Sequence, residues 1–389
     1  MIQGKVYFVG AGPGDLDLIT VKGLRLLQKA DVVIFDRLVN PFLLMETSPE
    51  AKLVYCGKQP CKHTLRQEDI QKELLIHAKK GLTVVRLKGG DPSVFGRVGE
   101  EAELCAQHLI KYEIIPGITS GSAASMYAGV PVTHRKLSGS FATVTGHTCT
   151  KDGKPAVNWS SLAKAVDTIV FYMGMKHLPT ISNELIHHGR SKDTPILLVQ
   201  WGTYSKQRTV EGTLATIVAK AELAQIQNPA IILVGEVVKL RAKLNWFDQR
   251  PLSGRGMLIP TATDFCEEVS QLKEQGADVY AYPFLSQAIQ MNHRDQLVLT
   301  RLFEDEHINT ICLLTYQDYL EFFEYIDLSG INMDSLQTCT FICCDHTTRV
   351  HLSEAGFNTY QVSAMNVERI TEALLPAQIQ IAEPLRGSL

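Results

Sequence analysis

The sequence has no long apolar run. No uninterrupted stretch reaches the roughly 18 residues that a membrane-spanning helix needs. The first residues show no signal-peptide pattern and lead directly into a β-rich run that starts at Lys5. We therefore expect a cytoplasmic protein that does not contact a membrane.

Cysteine pairs with the spacing of metal or redox sites are also missing. The nine cysteines are scattered, and the close pairs Cys56/Cys61 and Cys343/Cys344 do not form a C-x-x-C motif. His63 lies near Cys61, but no second pair of ligands completes a zinc site. We expect reduced, ordinary thiols and no bound metal.

Basic residues are scarce in the last third of the chain. Residues 253–389 have 7 Lys and Arg against 19 Asp and Glu, a net charge of −12, whereas residues 1–252 have 31 against 22, a net charge of +9. Such a split suggests two units with different partners, although the two parts could simply attract each other. The basic excess is dispersed and lacks clustered aromatic residues, which argues against a nucleic-acid partner.

Strand and helix patterns alternate along the chain, which predicts an α/β fold. A length of 389 residues, 45% of them hydrophobic, suffices for two or three domains. The first part should form a parallel sheet. Its predicted strands are Lys5–Val9, Val32–Phe35, Leu53–Tyr55, Thr83–Leu87 and Tyr112–Ile115, and its predicted helices are Leu18–Lys29, Gln67–Lys80 and Gly99–Gln107.

Two breaks divide the rest of the chain. Pro116-Gly117 marks the first boundary, and a linker follows Trp246-Phe247, so we predict domains over residues 1–117, 118–247 and 253–389. In the second domain, close strands at 196–200 and 208–212 suit an antiparallel pair, which makes the sheet mixed. Its other predicted strands are Ala142–Thr145, Thr168–Tyr172 and Ala230–Val234. The elements predicted in the third are Gly256–Ile259, Asp264–Gln275, Ala277–Tyr282, Thr310–Leu314, Thr340–Cys343, Thr347–Ala355, Thr359–Val362 and Val367–Leu374.

The loop after the first predicted strand imitates a dinucleotide-binding fingerprint. The run Gly10-Ala-Gly-Pro-Gly-Asp15 is followed by a helical pattern and then by a strand that ends at Asp36. Asp15 stands where the third glycine of G-x-G-x-x-G should be, and its carboxylate would repel a pyrophosphate. The loop therefore suits a positively charged ligand better than a nicotinamide or flavin cofactor.

A second glycine loop ends the predicted strand at 83–87. The Gly89-Gly90 pair permits positive φ and a close approach to a ligand, and Pro92 fixes the exit of the turn. Asp91 places a carboxylate at the carboxyl end of a strand, where open α/β sheets bind ligands. On its own, this pattern fits a tight structural turn as well as a ligand loop.

Seven motifs occur in order along residues 1–247. They are GAGPGD at 10–15, IFDRLV at 34–39, RLKGGDP at 86–92, PGITS at 116–120, GVPVTHR at 129–135, FYMG at 171–174 and NPAIILVGEVV at 228–238. Together they resemble the tetrapyrrole methylase family. The resemblance implies a homodimer of two-domain α/β chains with the active site between the domains. It also implies methyl transfer from S-adenosylmethionine to two ring carbons of uroporphyrinogen III, giving precorrin-2 by way of precorrin-1 for sirohaem and cobalamin synthesis.

The same resemblance implies the residues of the site. The S-adenosylmethionine contacts are Pro13, Gly89, Gly90, Asp91, Val94, Thr119, Ser120, Met173, Gly202 and Ala230. Asp36 matches the family's proton acceptor and Lys58 its proton donor, although Asp36 could be a helix N-cap and Lys58 a surface lysine. Ser93 after the glycine loop, and Trp201 beside the second-domain site, depart from the family pattern and bear on donor affinity.

The implied substrate carries eight carboxylates, and the +9 charge of residues 1–252 suits such a ligand. His134 and Arg135, inside a family motif, rank first as substrate contacts. Arginine grips a carboxylate with two hydrogen bonds, which makes it the better partner. Further candidates are Arg37, Arg66, Arg97 and Lys136. A different tetrapyrrole or a non-tetrapyrrole acceptor, and a non-catalytic tetrapyrrole-binding role, stay open as alternatives.

Residues 253–375 resemble the first half of uroporphyrinogen-III synthase. The motifs match weakly: Pro260-Thr261 stands in place of Thr-Arg, for example, and the region has about half the length of two synthase lobes. A region with a net charge of −12 would also repel a polycarboxylate substrate and bind it poorly. We expect an incomplete, inactive region that docks against the basic unit or a partner. A bifunctional methyltransferase and synthase is the alternative.

Overall fold

A computed structural model describes residues 4–57, 67–146, 156–260, 266–282 and 292–375. The chain divides into two units, Met1–Phe247 and Asp248–Leu389. The first unit contains two five-stranded sheets and the second contains one. No helix in the described part of the chain is both long and apolar enough to cross a membrane.

The first sheet is entirely parallel, as predicted. Its strands are β1 (Lys5–Gly10), β2 (Val32–Phe35), β3 (Lys52–Tyr55), β4 (Thr83–Lys88) and β5 (Lys111–Ile115), and its helices are α1 (Val21–Leu27), α2 (Gln67–Lys79) and α3 (Val98–Gln107). The strand order is β3-β2-β4-β1-β5. Each predicted strand is confirmed to within one residue at either end.

The strands of this sheet could be predicted from the sequence because buried strands consist of apolar residues. All four residues of β2 are apolar and buried, as expected for a parallel sheet that is covered on both faces. Helices α2 and α3 cover one face, where Leu74 and Cys105 are fully buried. The predicted helix Leu18–Lys29 is shorter in the structure, because the Thr20 side chain caps α1 by accepting the N–H of Gly23 at 3.1 Å.

The second sheet is mixed. Its strands are β6 (Phe141–Thr145), β7 (Thr168–Tyr172), β8 (Pro195–Gln200), β9 (Arg208–Thr213) and β10 (Ala230–Val234), and the helices of this part are α4 (Ser120–Tyr127), α5 (Trp159–Ala165), α6 (Leu178–His187), α7 (Ile217–Leu223) and α8 (Arg241–Leu244). The order is β6-β7-β10-β8-β9, with β6 parallel to β7 and the other neighbours antiparallel. The pairing of β8 with β9 confirms the predicted antiparallel pair.

Helix α4 follows the last strand of the first sheet and packs on the second sheet. Ala124 of α4 and the C-cap residue Ala128 are buried against Val170 and Tyr172 of β7. Side chains alternate along a strand, so the intervening Phe171 is buried on the opposite face, among residues of α5, α6 and α7. The side chain of Tyr172 is thereby directed towards α4.

The second unit contains a parallel sheet. Its strands are β11 (Gly256–Pro260), β12 (Asp278–Tyr282), β13 (Thr310–Leu313), β14 (Thr340–Cys343) and β15 (Asn358–Gln361), and its helices are α9 (Cys266–Glu274), α10 (His293–Glu304), α11 (Tyr316–Ser329), α12 (Asp334–Gln337), α13 (His346–Glu354) and α14 (Val367–Leu374). The order is β12-β11-β13-β14-β15, so the winding direction reverses between β11 and β13.

In the second unit, helices α10, α11 and α12 were not among the predicted elements. Helix α11 is rich in aromatic residues, which have only moderate helix propensity. A capping box formed by Thr315 and Asp318 starts it, and burial of Phe322 and Ile326 stabilises it. Tertiary packing therefore decides its structure more than local propensity does.

Candidate active site

Three glycine-containing loops meet at the carboxyl edge of the first sheet, where β1, β4 and β5 end. Gly12 and Gly90 exchange backbone hydrogen bonds with nitrogen–oxygen distances of 3.3 Å and 2.7 Å. A Cβ on Gly10 would lie 2.6 Å from the Cα of Gly117, and a Cβ on Gly117 would overlap the carbonyl oxygen of Gly90. Gly90 also has a φ of +70°. Contact between the loop backbones therefore requires glycine at these positions.

The same glycine loop also lies beside the start of α4. A Cβ on Gly90 would meet nothing closer than the backbone of Thr119 and Ser120, at 3.8 Å. These two residues start α4, and both were predicted to contact the donor. A Cβ at Gly90 would thus be in ordinary van der Waals contact with this backbone, so it is the positive φ, and not crowding, that favours glycine there.

The Asp91 carboxylate holds two of these loops together. Its Oδ2 accepts the N–H of Gly117 at 2.9 Å, and its Oδ1 accepts the N–H of Ser93 at 2.7 Å. The Ser93 hydroxyl also donates to Oδ1. Ser93, which departs from the family pattern, therefore has a specific contact with the carboxylate of the loop.

Tyr172 connects these loops with the second sheet, and nothing in the sequence singles it out within its motif. Its hydroxyl lies 2.7 Å from Oγ1 of Thr119 and accepts the N–H of Gly121 at 2.6 Å. Phe95, in the loop after β4, packs with its ring centroid 5.1 Å from that of Tyr172. Val94, a predicted donor contact, packs against the buried apolar cluster that contains Ala124 and Tyr172.

Three more of the predicted donor contacts lie at one edge of the second sheet. Met173 follows β7, Gly202 lies just after β8, and Ala230 begins β10. Because β10 runs antiparallel to β7 and β8, Ala230 pairs with Gln200 at the end of β8. A Cβ on Gly202 would overlap the Cβ of Ala124, so this loop lies directly on α4. The structure brings predicted residues from both sheets to the same helix.

The loop after β1 also contacts both sheets. It contains Pro13, a predicted donor contact, and Asp15, whose N–H donates to Oγ1 of Thr203 at 3.1 Å. The Asp15 carboxylate accepts the Tyr127 hydroxyl of α4 at 2.8 Å and the N–H of Asp17 at 3.0 Å. The acid that breaks the dinucleotide fingerprint is therefore a structural tie between loops.

Backbone strain is concentrated in the loops of this region. Among the described residues, eight residues other than glycine have positive φ, and five of these follow β4, β7 or β8. The five are Phe95, Arg97, Met173, Trp201 and Thr203. Such conformations cost on the order of 1–3 kcal/mol each and cluster at ligand sites. Strain of this kind depends on tertiary packing, so no sequence pattern reveals it.

Asp36, the predicted proton acceptor, follows β2 at the same carboxyl edge. Nη2 of Arg86 donates to its Oδ1, and the Asp36 side chain is 33% exposed. The helix N-cap interpretation of Asp36 is wrong, because Asn40 caps the short 3-10 helix that follows. A Cβ on Gly89 would lie 3.3 Å from the Cβ of Leu38, so the loop after β2 contacts the glycine loop.

Buried charges lie beneath this edge. Arg86 and Lys88 of β4 contact Glu101 of α3, with nitrogen–oxygen distances of 3.4 Å and 3.1 Å. Burial lowers the pKa of Lys88, and the charge of Arg86 adds to this. Burial also opposes the charge of Arg86, but Asp36 and Glu101 outweigh it and raise the Arg86 pKa. The nearby Cys56 thiol is buried, which raises its pKa to about 11 and makes it a poor nucleophile.

The three predicted substrate contacts lie in loops. Arg37 follows Asp36 directly and is exposed. His134 is half-buried and closes a short turn by exchanging backbone hydrogen bonds of 2.9 Å and 2.8 Å with Ser138. Arg135 lies within that turn and is exposed.

The other charged candidates divide into two groups. Arg97 forms an ion pair of 2.6 Å with Glu100, and Lys136 is exposed beside the turn at 134–138. Lys58, the predicted proton donor, and Arg66 lie outside the described residues. Within the described ranges, no group of three or more His, Cys, Asp or Glu side chains is arranged to hold a metal ion.

Trp201 contacts other side chains of its own loop. The Lys206 ammonium lies 3.9 Å from the centroid of its ring, and Tyr204 packs edge-on at 5.6 Å. One face of the indole is therefore covered by a cation of this chain.

Comparison with known proteins decides the family. The family model of tetrapyrrole (corrin/porphyrin) methylases matches residues 5–218. The chain belongs to the tetrapyrrole methylase family. The matched residues include all three glycine loops, Asp36 and Tyr172, as well as the turn at 134–138.

Two curated members of this family show how far the similarity extends. The chain is 58% identical over 237 residues to a uroporphyrinogen-III C-methyltransferase of Priestia megaterium, a match that covers 61% of this chain and 99% of the relative. It is 49% identical over 284 residues to another protein of that name from Bacillus subtilis (strain 168), covering 73% of this chain. The chain matches 59% of the length of the B. subtilis protein.

A solved structure of a tetrapyrrole methylase has the same fold as the first unit. It is the uroporphyrin-III C-methyltransferase from Thermus thermophilus complexed with S-adenyl homocysteine, which is 39% identical with a TM-score of 0.52. The match covers 61% of this chain and 100% of that chain. The family model's match ends at residue 218, within the first unit.

Proposed function

We propose that residues 1–247 transfer methyl groups from S-adenosylmethionine to two ring carbons of uroporphyrinogen III, giving precorrin-2 by way of precorrin-1. The observation that carries the proposal is the convergence of motifs from both sheets on α4, in a chain 58% identical to a relative named for this activity. The product would serve sirohaem and cobalamin synthesis.

The donor site would be built largely from backbone. S-adenosylmethionine supplies its methyl group from a sulfonium cation, which carbonyl dipoles and a nearby carboxylate stabilise. The backbone of Gly90 lies beside that of Thr119 and Ser120, and the Asp91 carboxylate places negative charge in the same loop. The proposed contacts are Pro13, Gly89, Gly90, Asp91, Val94, Thr119, Ser120, Met173, Gly202 and Ala230.

The main task of the protein is to align donor and acceptor and to exclude water, because methyl transfer is an in-line displacement. The loops after β7 and β8 are well suited to this, since both have strained backbone and the loop after β8 lies directly on α4. A polycarboxylate acceptor would be held by basic side chains. The proposed contacts are Arg37, His134 and Arg135.

Asp36 would accept the proton that must leave the macrocycle after methylation. Arg86 holds one carboxylate oxygen, and no donor among the described residues reaches the other. The side chain is 33% exposed, so Asp36 is accessible from solvent. Lys58 is the proposed proton donor by similarity.

The variant Asp36→Asn tests this assignment. It should lower turnover by about 100-fold or more, the usual effect of a lost general base, while calorimetry shows unchanged binding of S-adenosylhomocysteine. Asp17→Asn, at an exposed acid in the loop after β1, is the control and should keep wild-type turnover. Wild-type turnover in Asp36→Asn would remove Asp36 from the mechanism.

The alternatives predict different products. A methylase of a later corrin intermediate would leave uroporphyrinogen III unlabelled and methylate that intermediate instead. A non-catalytic tetrapyrrole-binding protein would bind uroporphyrinogen III and transfer no methyl group to any acceptor. Mass spectrometry of each acceptor after incubation separates these outcomes.

We also propose that the chain forms a homodimer, as the family resemblance implies. Sedimentation equilibrium should give twice the mass of one chain. The mass of a single chain at micromolar concentration would contradict this.

For the second unit, we propose an inactive region derived from uroporphyrinogen-III synthase. Two observations support it: the parallel sheet, whose winding direction reverses between β11 and β13, and the excess of acidic residues. The full chain incubated with hydroxymethylbilane should give only the type I isomer that forms spontaneously. Formation of the type III isomer would show an active synthase.

A further inference from the structure

Arg86 is the bulkiest of the fully buried side chains in the described residues, although it carries a charge. It lies in β4, the central strand of the first sheet, and is 2% exposed. Its Nε donates to Glu101 at 3.4 Å and its Nη2 donates to Asp36. Its Nη1 donates to the carbonyl oxygens of Ile34 and Leu87, at 3.3 Å each. Every nitrogen of the guanidinium donates a hydrogen bond, which fixes the orientation of the planar guanidinium group, or fork.

Glu101 completes a cluster of buried charges. It is fully buried on α3 and accepts from Lys88 at 3.1 Å and from Gln67 at 3.0 Å. The cluster contains two cations, Arg86 and Lys88, and two carboxylates, Asp36 and Glu101, and therefore has no net charge.

Stability alone does not account for this cluster. Removing ions from water opposes folding, and apolar side chains of similar volume often pack equally well or better. Arg86, Lys88 and Glu101 are all nearly inaccessible, whereas Asp36 is 33% exposed at the edge where the glycine loops meet. A buried network with a single accessible end suits a site that must hold one carboxylate in place.

We propose that Arg86 is a positioning residue for Asp36, with Glu101 holding Arg86 in place. The fork fixes one oxygen of Asp36 and leaves the other to accept the substrate proton, so Arg86 acts on the reaction only through Asp36. The inference rests on the proposed function, in which Asp36 is the proton acceptor. The raised pKa of Arg86 supports it, because the guanidinium keeps its charge despite burial.

A double-mutant cycle tests this role. Arg86→Lys keeps a positive charge but loses the fork, so kcat should fall about 10-fold or more, since slight misplacement of a catalytic group can cost about 100-fold. The KM for the donor should stay within about twofold. In an Asp36→Asn background, the same substitution should change kcat by less than about twofold, because Asp36 is no longer there to be positioned.

Arg190→Lys provides the control for this cycle. Arg190 is half-buried in the second-sheet part of the chain and donates to backbone carbonyls, so kcat should be unchanged in that variant. If Arg86→Lys does not fold, as judged by thermal unfolding and donor binding, Glu101→Gln takes its place in the cycle with the same expected non-additivity.

Two results would overturn the inference: unchanged kcat in Arg86→Lys, or an equal loss of kcat with and without Asp36. The second would indicate a purely structural role. Failure of the proposed function is distinguishable, because it would show as wild-type turnover in the single variant Asp36→Asn.

Discussion

The hydroxyl of Tyr172, the last residue of β7, lies 2.7 Å from the hydroxyl of Thr119, the N-cap residue of α4. The same oxygen accepts the N–H of Gly121 at 2.6 Å. Tyr172 belongs to the second sheet, whereas Thr119 follows the last strand of the first sheet. One phenol oxygen therefore joins the two parts of the candidate site.

Tyr172→Phe should remove the hydroxyl link between the two parts of the site while keeping the aromatic ring and its packing. The buried N–H of Gly121 would lose its acceptor, so the free energy of unfolding should fall by about 1–3 kcal/mol. Binding of S-adenosylhomocysteine, measured by calorimetry, should also weaken. Tyr112→Phe, at an exposed tyrosine, should change the free energy of unfolding by less than about 0.5 kcal/mol. Wild-type affinity in Tyr172→Phe would mean that this link does not shape the donor site.

Gly117→Ala should disrupt the contact between the glycine loops. The new Cβ would overlap the carbonyl oxygen of Gly90 and lie 2.8 Å from the Cα of Gly10, and neither backbone can move without losing hydrogen bonds. We expect a loss of about 1–3 kcal/mol in stability and a clear loss of donor affinity. The matched control is Gly99→Ala on α3, where a Cβ meets nothing within 4 Å and should be neutral or stabilising. Equal donor affinity in the two variants would contradict the loop-contact account.

His77 makes stability depend on pH. Burial lowers its pKa from the usual 6.5; the charges of Lys52 and Lys80 add to this, and Glu73 opposes it. The unfolded chain takes up a proton near pH 6.5 and the folded chain only at lower pH. Unfolding therefore binds a proton in this window, and the free energy of unfolding falls as the pH falls below 6.5.

His77→Gln should remove part of that dependence. Urea midpoints measured between about pH 7 and pH 5 should fall less steeply in this variant than in the wild type. His187→Gln, at an exposed position on α6, should keep the wild-type slope. An unchanged slope in His77→Gln would assign the acid sensitivity to other groups.

The strands and glycine loops of the first unit were predictable because their signals are local. Apolar runs such as Val32–Phe35 are buried on both faces, and glycine is obligatory where backbones touch, as at Gly10 and Gly117. The motif spacing also indicated the donor site and Asp36. The roles of these residues in catalysis stay predictions.

The remaining features depend on contacts between residues far apart in sequence. Tyr172 and Thr119 are 53 residues apart, and Arg86 and Asp36 are 50 apart. Neither the hydroxyl link nor the ion pair has a sequence pattern of its own. Asp15 shows the same limit, because its mismatch with the dinucleotide fingerprint is visible in the sequence but its hydrogen bonds to Tyr127 and Thr203 are not.

Methyl stoichiometry on uroporphyrinogen III tests the central claim most directly. The full chain, incubated anaerobically with methyl-labelled S-adenosylmethionine and uroporphyrinogen III, should transfer two labelled methyl groups to each macrocycle, with a singly labelled intermediate at early times. Absence of label in the macrocycle, while S-adenosylhomocysteine still binds the protein, would contradict the account.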